Sequence, residues 1–226
     1  SGFCQAKGKS MIRKYTAEFM GTFGIVFCGT GAIVIDQQTH GAIGHLGIAM
    51  TFGLIELAMI YAFGEISGAH FNPAVTLAFF AARLFPGRQL LPYIVTQASG
   101  ALCATVIMKS LFPDNPTLGS TLPAGSDFQS FVLEFILTFI LMTVILNVSQ
   151  GSKETGVVAG IAVGSTIGLE AIFAGLVCGA SMNPVRSLAP ALLSGNIQSL
   201  WIYLLAPTAG AFMASAVWLI LQRQKD

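Results

Sequence analysis

The chain has 226 residues, 54% of them hydrophobic and only 9% charged, with a formal net charge of +1 at neutral pH. Soluble domains carry about 25% charged residues, so this chain has too few to cover an aqueous surface, and no basic face exists to engage nucleic acid. These numbers predict a protein integral to a membrane.

In chain order, six stretches approach the roughly 20 apolar residues that a membrane crossing needs: 13–35, 43–65, 88–111, 128–149, 157–178 and 199–221. The first is too long for a signal-peptide core and has no cleavage pattern, so it belongs to the fold. Polar and Gly/Pro turns separate the spans at Thr39–Gly44, Pro86-Gly87, Pro113–Ser126, Gly151–Gly156 and Ser194–Gln198. Two shorter apolar runs, 72–82 and 183–193, reach only about halfway across the bilayer core at 1.5 Å per residue. Each opens on Asn-Pro, with Asn as helix N-cap and Pro at the first helical position. Cys4, Cys28, Cys103 and Cys178 are widely spaced, without a zinc pattern or a disulfide framework, and read as small buried hydrophobes.

The two short runs are copies. Gly68-Ala69-His70-Phe71-Asn72-Pro73-Ala74 is matched by Gly179-Ala180-Ser181-Met182-Asn183-Pro184-Val185, 111 positions later. Glu18-Phe19 with Thr22-Phe23 in the first span recurs as Glu134-Phe135 with Thr138-Phe139 in the fourth. The unit is three spans and a half-helix, covering approximately 11–111 and 127–222 of a single 226-residue transmembrane domain. Three is odd, so the second unit lies inverted in the membrane, an arrangement typical of transport proteins. With both termini cytoplasmic, that side holds Lys7, Lys9, Arg13, Lys14, Arg83, Arg88, Lys153, Arg223 and Lys225, against Lys109 and Arg186 opposite. This obeys the positive-inside rule. The fold class is all-α: six transmembrane helices plus two half-helices.

Irregular backbone at membrane depth is tolerated only where protein buries it or a wet cavity adjoins it. Half-helices entering from opposite faces bring Asn72 and Asn183 together, with free N–H groups and positive dipole ends converging on one place. Such a centre repels cations and orients a passing water with its oxygen inward, which interrupts proton conduction. The plainer alternative is that each Asn only caps its helix.

These features together resemble the aquaporin and aquaglyceroporin family, the major intrinsic proteins. The resemblance spans nearly the whole chain: six spans, two Asn-Pro-Ala-type boxes, the paired Glu and Thr-Phe signature, and Arg186 three residues after Asn183. It implies a homotetramer in which each subunit has its own pore, embedded in lipid, in the plasma membrane, with no cofactor or metal. It also implies that Glu18 and Glu134 anchor the half-helix loops and that Arg186 stands at the narrowest, extracellular constriction. By the same pattern Phe52, Ala171 and Ala180 complete the constriction. Water-selective members typically carry His at the fifth-span position, where this chain has Ala171. An offset of one residue would place Glu170 or Ile172 there instead. Two alanines leave a wide slot, so water and small neutral solutes are the expected permeants.

Phe173-Ala174-Gly175, the second box, Arg186-Ser187-Leu188 and Pro190 look like the nodulin-26-like branch and its bacterial relatives, some of which pass glycerol and neutral boric or arsenous acid. Val185 fits that branch, whereas its extended cytoplasmic tails are lacking here and Phe52 is larger than the residue of the widest filters. A water-selective aquaporin and an ion-coupled transporter are the alternative functions. Glu56 and Glu170 fall outside the signature and are open between supporting Arg186 or a lumenal water chain and facing the tetramer axis or a neighbouring helix. His70 reads as a cap on a cytoplasmic loop, with gating as its alternative. His40 and His45 read as solvated at an extracellular turn. No catalytic triad, phosphate loop or metal-ligand cluster is visible, so an enzyme is not expected.

Overall fold

The structure, a computed structural model, describes residues 2–150 and 158–222, with side chains described from residue 11 onward. The Gly151–Gly156 turn, Lys153, Arg223, Lys225 and the side chains of Cys4, Lys7 and Lys9 lie outside the described residues. The described chain is helical: α1 (Gly2–Gln38), α2 (Gly44–Ser67), α3 (Pro73–Ala81), α4 (Leu90–Leu111), α5 (Asp127–Ser149), α6 (Ala159–Cys178), α7 (Pro184–Ser194) and α8 (Leu200–Gln222). Six helical stretches among the described residues are long and apolar enough to cross a membrane, from Met11–Gln38 to Leu200–Gln222. The short α3 and α7 are not among them. The first helix runs past the expected 13–35 at both ends, since no proline interrupts Gly2–Gln38.

The helix ends follow local chemistry. Asn72 caps α3 by accepting from the Ala74 N–H, and Asn183 caps α7 by accepting from Val185 and Arg186, each with proline next in line. The preceding helices, α2 and α6, both stop at a left-handed glycine, Gly68 and Gly179. The intervening loops turn the chain back into the bundle.

Packing repeats between the halves. Helix α1 lies along α4 as α5 lies along α8, and α2 lies along α6 between them. Gly100 meets the Phe19 carbonyl on α1, and Gly210 meets the Phe135 carbonyl on α5, so the residue after each repeated Glu is a contact point. At the α2–α6 crossing Gly53 and Gly164 face one another: a Cβ on Gly53 would lie 2.6 Å from the Gly164 carbonyl oxygen, and one on Gly164 would lie 2.5 Å from that of Gly53. Small residues let helix backbones approach in lipid, where packing rather than water drives association. Gly53→Val is therefore expected to force α2 and α6 apart and to destabilise the fold by about 1–3 kcal/mol. Thermal unfolding of the purified protein in detergent checks this, and an unchanged midpoint would refute the tight crossing.

Large apolar side chains such as Leu46, Leu91, Phe128, Leu169 and Leu205 are exposed on the bundle. An apolar exterior around a polar interior is what a bilayer demands, and the protein is integral to a membrane.

Candidate functional site

The two re-entrant loops meet at the centre of the bundle and hold each other. The Asn72 side chain donates from Nδ2 to the Met182 carbonyl at 2.7 Å, and Asn183 donates from Nδ2 to the Phe71 carbonyl at 3.0 Å. Each amide oxygen is held by its own helix, Asn72 by Ala74 N at 2.9 Å and Asn183 by Val185 N at 3.1 Å. A carboxamide NH2 has two protons. One ties the halves together, and the second remains for the lumen that both Asn residues line. The Asn residues thus do more than cap: they cross-link the two loops.

The backbone reaches this geometry through four non-glycine residues in the left-handed region: Ala69, Phe71, Ala180 and Met182, with φ between 41° and 53°. They form two pairs at the same 111-residue offset as the Asn residues. Such conformations cost of order 1–3 kcal/mol each, and persist only where surroundings over-determine them. The two repeated carboxylates do so. Glu18 accepts from the His70 and Phe71 backbone N–H groups at 3.0 and 2.8 Å. Glu134 accepts from Ser181 and Met182 at 2.7 and 2.9 Å. Both side chains are fully buried.

Around Glu18 the first half adds a polar web. Gln97 Nε2 donates to Glu18 Oε2 at 2.8 Å and to Thr76 Oγ1 at 3.0 Å, while the Thr76 hydroxyl donates to the Asn72 carbonyl at 3.0 Å. The single Thr76 proton is thereby committed, so His70 Nδ1, 3.1 Å away, is the donor of their hydrogen bond. The His70 ring stacks on Phe79 with centroids 4.7 Å apart. His70, read from the sequence as a cap on a cytoplasmic loop, is buried, braces α3 and borders the inner cavity. In the second half serines serve instead, with Ser181 hydrogen-bonded to Ser187 and Ser187 accepting from Thr121 at 2.7 Å.

Two cavities approach the centre from opposite ends. The inner one, about 980 Å³, runs past Asn72 and Asn183; the outer one is about 220 Å³. Phe52, Ala180 and Arg186 line both, and Ala171 lines the outer one. These four residues from α2, α6, the second loop and α7 thus border one cavity, three of them at its junction with the other, and Glu170 and Ile172 line neither cavity. Arg186 is 2% exposed, its Nη1 donates to the Gly119 carbonyl at 2.8 Å, and its Cζ lies 4.9 Å from the Phe52 ring centroid. A buried guanidinium is tolerated here because a carbonyl and an aromatic face receive it. Gly119 belongs to the long loop between α4 and α5, which sequence reading treated only as a turn; nothing in its local pattern identifies it as the arginine's partner.

The remaining candidates separate cleanly. Glu56 lines the inner cavity, whereas Glu170 is 1% exposed and borders neither of these two cavities, so it packs against neighbouring helices rather than facing outward. Its carboxylate oxygens have no hydrogen-bond partner among the described residues. His40 is exposed as expected. His45 is not simply solvated: its Nε2 donates to the Ile172 carbonyl at 2.7 Å, and its ring borders the outer cavity. Cys28 and Cys103 are half-buried free thiols and Cys178 a buried one.

Comparison with known proteins adds relatives to this geometry. A sequence model of the major intrinsic protein family matches residues 5–218. The chain is 47% identical to Aquaporin NIP1-1 of Oryza sativa subsp. japonica over 212 residues, covering 93% of this chain and 75% of the relative. It is 45% identical to Probable aquaporin NIP5-1 of Arabidopsis thaliana over 209 residues (92% and 69%), and 43% identical to Nodulin-26 of Glycine max over 212 residues (93% and 78%). Its fold matches the aquaglyceroporin from Plasmodium falciparum with a TM-score of 0.79 and 25% sequence identity, covering 92% of this chain and 95% of that one.

Proposed function

The chain belongs to the major intrinsic protein family, the aquaporin-type membrane channels, and from that premise we propose that it passively equilibrates water and small uncharged solutes, glycerol and neutral boric or arsenous acid among them, while refusing protons and ions. The observation that carries the solute reading is the narrowing itself: two methyl groups, Ala171 and Ala180, stand where larger polar side chains would close it, beside Phe52 and Arg186. A solute slides its carbon side past the ring while its hydroxyls exchange water for the guanidinium and the loop carbonyls. Ion refusal follows from the helix N-termini converging at Asn72 and Asn183 and from the fixed cation Arg186.

The same reading puts both termini in the cytoplasm, the protein in the plasma membrane, and four copies in a homotetramer. The homology to aquaporins supports a channel over an ion-coupled transporter, which would accumulate solute in a manner abolished by uncouplers. Stopped-flow light scattering of proteoliposomes tests the proposal. Glycerol and boric acid fluxes well above those of protein-free vesicles are expected, together with water flux. Fast water flux with no solute flux would overturn the wide slot in favour of a water-selective channel.

A further inference from the structure

Phe52, Glu56 and Ile60 follow one another at four-residue spacing on α2, and all three line the inner cavity. Glu56 thus stands one helical turn, about 6 Å, inward from the Phe52 ring at the narrowing. The helical wall around it is otherwise apolar at this depth: Ile25 on α1, Leu141 on α5, Val163 and Ile167 on α6. At the position related to Glu56 by the 111-residue offset stands Ile167, so the internal repeat does not account for a carboxyl here. Glu18, Glu134 and Glu56 differ in one decisive respect. The first two are saturated by loop donors, whereas no described group of the protein hydrogen-bonds Glu56. A carboxyl that faces an open lumen without a protein partner is available to whatever passes.

The other polar groups of the inner cavity near the centre are supplied by Arg186 and by the re-entrant segments Gly68–His70 and Ala180–Met182 with the Asn pair. One polar stripe against an apolar wall suits a polyol, which has a hydroxyl edge and a C–H edge. An acceptor set into the apolar wall changes that preference. It gains a hydrogen bond from a solute whose donors surround it, and it loses solvation without compensation when a C–H edge passes.

We propose that Glu56 is a specificity-determining residue of the lumen, accepting a hydrogen bond from compact neutral solutes that carry polar groups around their whole perimeter, donors on most of it and no C–H edge, trigonal hydroxo acids and urea, in preference to polyols with one C–H edge. This rests on the solute-channel reading above, because such a solute meets Glu56 only after crossing the narrowing.

The test measures boric acid, urea, glycerol and water permeabilities in proteoliposomes of the wild type, Glu56→Val and Glu56→Gln. Glu56→Val is expected to lower the boric acid:glycerol and urea:glycerol ratios about fivefold, the loss of one hydrogen bond to the passing solute. Water flux is expected to change less than about twofold, because water finds donors and acceptors elsewhere along the stripe. Glu56→Gln, which keeps a carbonyl acceptor of the same shape, is expected to retain most of the ratio. If Glu56→Val loses water flux as well, Glu56→Ala carries the same comparison with a smaller side chain. Unchanged ratios with glycerol flux intact overturn the role of Glu56 and leave the channel reading standing. A wild type that passes water and none of the three solutes overturns both.

Discussion

Glu134→Ala is expected to abolish water and solute flux and to lower the thermal unfolding midpoint by the largest margin of any single change outside the helix crossings. The substitution strips the acceptor from the buried N–H groups of Ser181 and Met182. Each orphaned donor costs about 1–3 kcal/mol, a large share of the roughly 5–15 kcal/mol that stabilises a typical protein. The loss also falls on a segment already strained, since Ala180 and Met182 hold positive φ angles beside and at the two N–H groups, those of Ser181 and Met182, that Glu134 captures. Once released, the loop relaxes, the Met182 carbonyl leaves Asn72 Nδ2, and the central cross-link opens. Glu134→Gln, which keeps one acceptor oxygen, is expected to recover part of the flux. Unimpaired flux in Glu134→Ala would mean that the Ser181–Ser187–Thr121 web holds the loop by itself.

Ala171→His is expected to shift the selectivity of the proposed slot from small solutes toward water. Ala171 faces the outer cavity beside Phe52, Ala180 and Arg186, and an imidazole there replaces a methyl with a ring that carries its own donor. Glycerol permeability is expected to fall about tenfold or more, within the range by which a group added to a fitted pocket discriminates substrates. Water permeability is expected to fall less than about threefold, because a single file of water needs only the narrower gap and gains a hydrogen-bond partner. The two permeabilities measured on the same vesicles decide the matter. An unchanged ratio would place the narrowest point of the lumen elsewhere, and attention would move to the inner stretch between Phe52 and Asn72.

The features legible in the sequence are local or repeated ones. An Asn-Pro opening a short apolar run announces a helix start because the cap and the proline act within three residues. The anchoring glutamates were legible as a pair, since each recurs with the same Phe and Thr beside it. The partners that position Arg186 were not. Gly119 lies 67 residues away in a loop with no distinctive pattern, and its contribution is a backbone carbonyl that any residue type possesses. The bracing of α3 by Gln97, Thr76 and His70 was equally invisible, because it joins three separate elements, and the second half fills the places of His70 and Thr76 with different residue types, Ser181 and Ser187. The fates of Glu56 and Glu170 show the limit most clearly. Both lie on helices that are apolar nearly all round, so no polar stripe sets the rotational phase of α2 or α6.

By itself the sequence determined the solvent, the number and approximate limits of the spans, the duplication and the residues that meet at the centre, because hydropathy, helix caps and repetition are written within short windows of chain. Only the tertiary structure decided which carboxylate faces the lumen, that the Asn amides cross-link the two loops, and that a distant carbonyl fixes the arginine where the two cavities share a wall. Those outcomes depend on helix rotation and on backbone groups brought together from far apart, and side-chain identity along a chain encodes neither directly.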